Sequence, residues 1–225
     1  MKHNKAQKAD VEWRENGVPV STRFEDPYFS LSDGLAETRH VFLDGNDLPE
    51  RFREGFHIAE LGFGTGLNLL AAWKAWEDSG ATTPLRFTSF EAYPMEATEM
   101  ARALAHWPDL APYAERLVAA WKTGPTLETD TLHLDVILGD ATQTLLVWSG
   151  KADTWFLDGF SPACNPALWS PEILANVGAH TVSGGTFATY TAAGHVRRAL
   201  QAAGFAVSRR KGFAHKRHMS VGVMP

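Results

Sequence analysis

The sequence predicts an α/β fold: a mostly parallel sheet with helices on both faces, a C-terminal antiparallel hairpin and a small β element ahead of the core. Three observations carry this. From residue 56 onward, apolar strand-like runs alternate with amphipathic helical stretches, the order that builds parallel sheets. The run Phe56-His57-Ile58-Ala59-Glu60-Leu61 feeds Gly62-Phe63-Gly64-Thr65-Gly66-Leu67-Asn68, which reads as strand, tight loop and helix. Acidic residues recur at the ends of four successive strand-like runs, where open α/β sheets bind their ligands.

Residues 1–15 read as a flexible tail and residues 16–225 as a single domain, with a β element over about 20–45 and a Rossmann-like core over about 55–225. Thr22-Arg23-Phe24 and His40-Val41-Phe42-Leu43 around Asp33-Gly34 suggest two extended pieces. The first core strand lies near 56–61. Its helix carries Leu69, Leu70, Trp73 and Trp76 on one face and stops at Ser79-Gly80. Residues 86–91 form a second strand. A helix opens at Pro94, with Ala97, Met100, Ala101 and Leu104 at helical spacing, and a short one spans 108–120. Strands follow over 132–138, 153–157 and 184–190. A helix carries Val196, Ala199, Leu200 and Ala203, and 205–210 with 218–223 closes the chain as a hairpin. That makes a seven-stranded sheet.

The chain has 225 residues, 44% of them hydrophobic, enough for a full core. No apolar run is long enough to span a bilayer, and residues 1–10 are polar and lysine-bearing without the apolar stretch of a secretory signal. A lone cysteine, Cys164, excludes an internal disulfide, and the expected setting is the cytoplasm. Charge is uneven. Residues 1–172 carry 14 Lys/Arg against 26 Asp/Glu, whereas 173–225 carry seven Lys/Arg and no acid. Such a basic end suits a polyanionic partner, or else a solvated face that balances the acidic remainder.

The glycine spacing narrows the ligand. A dinucleotide loop needs G-x-G-x-x-G, and here Leu67 stands at the third glycine position. The pattern resembles the first motif of class I S-adenosyl-L-methionine (SAM) methyltransferases, with Gly62, Gly64 and Gly66 cradling the amino-acid end of the cofactor. The four acids suit SAM, which presents a ribose diol, an adenine amino group, a sulfonium and an ammonium. Glu91 is expected on the ribose, Asp140 on the adenine edge and Glu60 near the loop. Helix capping or turn formation is the alternative for each, most of all for Asp140. Asp158 ends an apolar strand and enters a loop stiffened by Pro162 and Pro166 that carries Phe160, Asn165 and Trp169. Amino-directed methyltransferases often place a polar–Pro–aromatic loop there, its acceptors orienting the amine; a rigid turn over a buried tryptophan is the alternative. Cys164 lacks the surroundings of an activated thiolate. The nine histidines show no metal-ligand spacing, so no metal is expected.

Longer motifs resemble the methyltransferase domain of the MnmC family, bacterial tRNA wobble-uridine enzymes whose stand-alone form is called MnmD. They include Asp26-Pro27-Tyr28-Phe29-Ser30, Gly34-Leu35-Ala36-Glu37-Thr38-Arg39, the glycine loop through Asn68, Ser89-Phe90-Glu91 and His106-Trp107-Pro108. Trp155-Phe156-Leu157-Asp158-Gly159-Phe160, Asn165-Pro166 with Trp169, Gly194-His195-Val196-Arg197-Arg198, and Arg210-Lys211-Gly212-Phe213 with Lys216-Arg217 continue the match. The resemblance implies a class I methyltransferase fold and SAM-dependent methylation of the exocyclic amine of 5-aminomethyl-2-thiouridine at tRNA position 34. It implies that Tyr28, Phe63, Asn68, Glu91, Asp140 and Asp158 form the cofactor site, with Asp158 nearest the reacting amine as the catalytic group. Phe160, Asn165 and Trp169 would meet the base, and Arg197, Arg198, Arg210, Lys211, Lys216 and Arg217 the anticodon stem-loop. A separate or fused FAD-dependent oxidase is an implied partner; no membrane is. Leu61, Ala214-His215 and His218 depart from the family pattern. Other readings keep SAM with a small-amine acceptor, or make the chain a non-catalytic tRNA-binding module; a nicotinamide dehydrogenase fits the glycine spacing least.

Overall fold

The computed structural model describes residues 7–30 and 33–225. Strands β1 (Val11–Trp13), β2 (Pro19–Ser21) and β3 (Asp26–Pro27) form a small antiparallel sheet. Within the tail expected over residues 1–15, Val11–Trp13 is a strand, and the first six residues lie outside those described. Trp13 is anchored: its indole N–H donates to Glu99, and the Arg102 guanidinium lies 4.0 Å from its ring centroid. Residues 22–24 form a turn rather than a strand, with Glu25 at φ 52°.

The extended piece expected over 40–43 is helical. Helix α1 (Gly34–Thr38) starts on Asp33, whose carboxylate accepts from the Ala36 N–H at 2.9 Å. It runs into a π-helical turn, Arg39–Leu43. Val41, Phe42 and Leu43 are all buried, which a half-exposed strand cannot do. Asp33-Gly34 is compatible with an Asp N-cap as well as with an Asp-Gly turn.

The main sheet has the order β10-β11-β9-β8-β4-β5-β7-β6. Its strands are β4 (His57–Leu61), β5 (Leu85–Glu91), β6 (Thr126–Glu128), β7 (Leu132–Leu138), β8 (Ala152–Leu157), β9 (Thr181–Thr189), β10 (Ala206–Lys211) and β11 (His218–Val223). β9, β8, β4, β5 and β7 are parallel, and β10 and β11 form the expected hairpin. The sheet has one strand more than expected. β6 is short, polar and antiparallel on the β7 edge, and its Thr-Leu-Glu carries too little alternation to show in sequence.

Helices α2 (Leu67–Asp78), α3 (Ala97–Leu104) and α4 (Ala111–Trp121) cover one face with the 41–43 segment; α5 (Ala141–Val147), α6 (Pro171–Ala179) and α7 (Gly194–Ala202) cover the other. Helix α6 is an addition to the elements expected from sequence, although its signals are present: Ser170 accepts from the Ile173 N–H and Pro171 takes the first turn. The Leu61 side chain is buried in the core with Phe90 and Leu157. The chain runs outward through β4, β5 and β7, then returns to place β8 beside β4. That reversal opens a crevice at the carboxyl ends of β4 and β8, where ligands of such sheets bind.

Candidate active site

The loops after β4 and β8 meet at this crevice. Gly62 has φ 86°, and a Cβ there would lie 2.9 Å from the Gly159 Cα, so the two loops approach as closely as backbone allows. Beside them opens a cavity of about 690 Å³, bounded by the glycine loop, the ends of β5 and β7, the loop after β8 and the N-terminal element.

Asn68, in the first turn of α2, organises the floor. Its amide N–H groups donate to Asp158 Oδ2 at 2.7 Å and Glu60 Oε1 at 2.9 Å, and its oxygen accepts from the Thr38 hydroxyl at 2.8 Å. Glu60 is fully buried and stands behind the cavity wall, held also by the Ser89 hydroxyl at 2.7 Å. Burial drives its pKa well above the ordinary range; Ser89 and Asn68 oppose that shift, while Asp158 and Glu91 reinforce it. Glu60, expected at the cofactor, thus lies outside the cavity lining. It is a positioning residue, because both oxygens point into protein and reach the cavity only through Asn68.

Asp158 faces the cavity. Burial raises its carboxyl to about 7, opposed by hydrogen bonds from Asn68 and the Gly159 backbone; Glu37 pushes it further up and Lys216 pulls it down. Glu91 Oε2 accepts from the Gly64 N–H at 3.0 Å and Oε1 from the Tyr93 N–H at 2.7 Å. Burial raises its pKa, and backbone N–H groups of Phe63 and Gly64 in the glycine loop and of Ala92 and Tyr93 after β5 counter the shift. This carboxylate thus fixes the glycine loop while lining the cavity. Asp140 caps α5, its Oδ1 accepting from the Thr142 N–H and hydroxyl at 2.9 and 2.8 Å, and it lines the cavity too. Its capping and ligand-facing readings therefore coexist.

Tyr28, Phe63 and Gly64 also line the cavity. Gly66 does not: it caps α2 at φ 82°, against Leu117 and Phe63. Phe160 stacks on Phe24, centroids 4.7 Å apart, and meets Tyr28 edge-on at 5.1 Å; with Asn165 it forms the mouth. Trp169 is buried, and its indole N–H donates to the Phe160 carbonyl at 2.9 Å. It braces the loop, and the ring expected to meet a base is buried and outside the cavity lining.

Of the basic residues expected to meet tRNA, Lys216 alone lines the cavity, which Arg23 of the N-terminal element lines as well. Arg198, Lys211 and Arg217 are exposed on α7 and the hairpin, and Arg197 donates to the Ala192 carbonyl at 3.4 Å. Arg210 is tied to Asp47 at 2.9 Å and to the Asp44 carbonyl at 2.8 Å. The cavity also takes in Phe24, Glu37, Thr38 and Tyr190, none of which carries an acid or a glycine-loop signal that marks it in the sequence as a site residue apart from Glu37, whose carboxylate lies on a helix rather than at a strand end. A capped helix, α1, delivers Glu37 and Thr38, so recognising that cap would have brought them into consideration. Cys164 is an exposed loop residue. Among the described residues, no group of three or more His, Cys, Asp or Glu is placed to hold a metal, and no helix is long and apolar enough to cross a membrane.

Glu91, Asp140 and Asp158 converge on bare backbone at Gly62 and Gly64, a donor-accepting, anionic set that fits a cationic ligand bearing a diol. With this sheet order, they define a class I SAM-dependent methyltransferase, and SAM is its cofactor. The model of a family of S-adenosyl-L-methionine-dependent methyltransferases matches residues 106–225, and the chain belongs to that family. It is similar to the solved MnmC2 of Aquifex aeolicus, with 26% identity and a TM-score of 0.78 over 98% of this chain and 72% of that one. The resemblance to MnmC thus extends to three dimensions. A methyltransferase from Pyrococcus furiosus (15% identity, TM-score 0.52, 92% and 89% coverage) and precorrin-6y C5,15-methyltransferase from Geobacter metallireducens (12%, 0.50, 96% and 98%) share the fold.

Proposed function

We propose that this chain methylates the exocyclic amine of 5-aminomethyl-2-thiouridine at tRNA wobble position 34, giving 5-methylaminomethyl-2-thiouridine, with residues 16–225 acting as one domain. The observation that carries the reading is that Lys216, from the acid-free basic stretch, lines the same cavity as Asp158. A nucleic-acid-facing surface and an amine-facing carboxylate then belong to one site. The likeness to MnmC2 over nearly the whole chain supports the same acceptor.

When bound, SAM supplies a methyl group on an electrophilic sulfonium, so the protein's task is mainly positioning. Glu91 accepts from the ribose diol while holding the glycine loop, and Asp140 meets the adenine edge. Asp158 Oδ accepts from the substrate amine, orienting its lone pair and taking its proton; a pKa near 7 suits that exchange at neutral pH. Glu60 and Thr38 hold Asn68, and Asn68 holds Asp158. A wobble base must leave its stack to enter, and Phe160 at the mouth offers an aromatic edge to it. Arg197, Arg198, Arg210, Lys211 and Arg217 meet anticodon-stem phosphates, which makes binding salt-sensitive. The primary amine would come from a separate or fused FAD-dependent oxidase.

The test is nucleoside mass analysis of tRNA bearing 5-aminomethyl-2-thiouridine after incubation with the protein and SAM. Gain of one methyl on that nucleoside supports the proposal. No gain, with SAM binding intact, refutes it and points to another acceptor.

A further inference from the structure

The cavity already contains an ammonium, and it belongs to the protein. Lys216 Nζ lies 2.7 Å from Glu37 Oε1 and 4.5 Å from the centroid of the Tyr190 ring. A carboxylate and an aromatic face together are a recognition set for alkylammonium groups. Glu37, Tyr190 and Lys216 all line the cavity that holds Asp158, and the Tyr190 hydroxyl donates at 2.9 Å to the carbonyl of Gly159, the residue after Asp158. The two halves of the ion pair differ in freedom. The Glu37 side chain, on α1, is only 13% exposed, whereas that of Lys216, in the turn between β10 and β11, is 49% exposed. The lysine can swing into solvent while the carboxylate and ring stay in place. Half-exposed ion pairs contribute little to stability, so little is lost when it does.

We propose that Glu37 and Tyr190 form the ammonium subsite of the acceptor, that Lys216 occupies it in the free protein, and that the substrate's aminomethyl group displaces Lys216 on binding. This rests on the amine-acceptor reading above and deepens it. It makes Glu37 the residue that selects an amine over a neutral group of the same size, upstream of Asp158. Displaced, Lys216 is left on the cavity rim with its charge unpaired, facing the side from which a polyanion would approach.

The test compares binding of 5-aminomethyluridine and 5-hydroxymethyluridine to the full chain saturated with S-adenosylhomocysteine. Wild type should prefer the amine by about tenfold, as expected of a charge-assisted contact. Glu37→Gln should bring the two affinities within about twofold of each other, while affinity for S-adenosylhomocysteine stays unchanged and reports an intact fold. Lys216→Met removes the internal competitor, so it should tighten amine binding by roughly threefold and leave the hydroxyl analogue unaffected. An undiminished preference in Glu37→Gln, weaker amine binding in Lys216→Met, or no preference in wild type overturns the proposal. Methylation of the modified tRNA by wild type, measured in parallel, shows separately whether the broader reading stands.

Discussion

The substitution Asp158→Asn should make the protein more stable and inactive at once. Asp158 titrates at about 7 in the fold, against an ordinary value of 3.8. The folded state therefore keeps a proton that the unfolded chain releases, and across the window from about pH 4 to 7 stability falls as pH rises. A raised carboxyl contributes fully only below its unfolded pKa, and its ionisation above 7 is a standing cost. The shift corresponds to about 4 kcal/mol, an upper bound because Asp158 is only partly buried and water screens part of the effect. In Asp158→Asn the new amide oxygen would still accept from the Asn68 amide, but the side chain has no proton to lose. Urea unfolding without ligands, at pH 5 and pH 8, reads the difference between variant and wild type. That difference should grow in the variant's favour by about 1–2.5 kcal/mol between the two pH values, since only the part of the shift between pH 5 and 7 is read. Methyl transfer should fall by about 10²-fold or more, since the amine loses its acceptor. A difference equal at both pH values would refute the assignment of the shift to Asp158; full activity would refute its catalytic role.

Further outcomes follow from the same geometry. In wild type, kcat/KM for the amine acceptor should rise with pH through an apparent pKa near 7, and a profile flat from pH 6 to 8 would contradict the protonation account. Asn68→Ala strips a donor from two carboxylates and leaves the Thr38 hydroxyl without an acceptor; it should cost about 2–4 kcal/mol in urea unfolding and move the kinetic pKa upward. Gly62→Ala places a Cβ 2.9 Å from the Gly159 Cα at φ 86°, and calorimetric titration with SAM should show at least about a tenfold loss of affinity from the displaced loop. Trp169→Phe removes the N–H bond to the Phe160 carbonyl; it should lower unfolding free energy by about 1 kcal/mol and raise KM more than it lowers kcat, whereas unchanged KM would argue that the loop needs no brace.

Much of this site was legible in the sequence because its signals are local. An apolar run, three alternating glycines and a helix specify a strand–loop–helix junction whatever surrounds it, and the strand over Leu132–Leu138 lies where its pattern places it. Short-range ambiguity accounts for some differences. Asp33-Gly34 serves a turn or a cap equally well, and the cap prevails because three consecutive apolar residues, Val41 to Leu43, gain burial from a helical path. The role of Trp169 could not be read locally, since whether an indole stacks on a ligand or braces a loop depends on which atoms cover its faces.

The α/β order, the cofactor class and the acids available at the sheet's carboxyl end can be read from the linear chain, because periodicity, glycine spacing and strand termini are properties of neighbouring residues. Where each acid points depends on how the strands and loops pack together. Glu60 pairs in register with Ser89 and turns inward to hold Asn68, whereas Glu91, two residues beyond Ser89 on the adjacent strand, reaches the glycine loop. Glu37 and Lys216 are 179 positions apart and meet in the cavity only because the β10–β11 hairpin folds back beside α1. Side-chain direction at a strand end follows from register and packing, which a linear pattern does not contain.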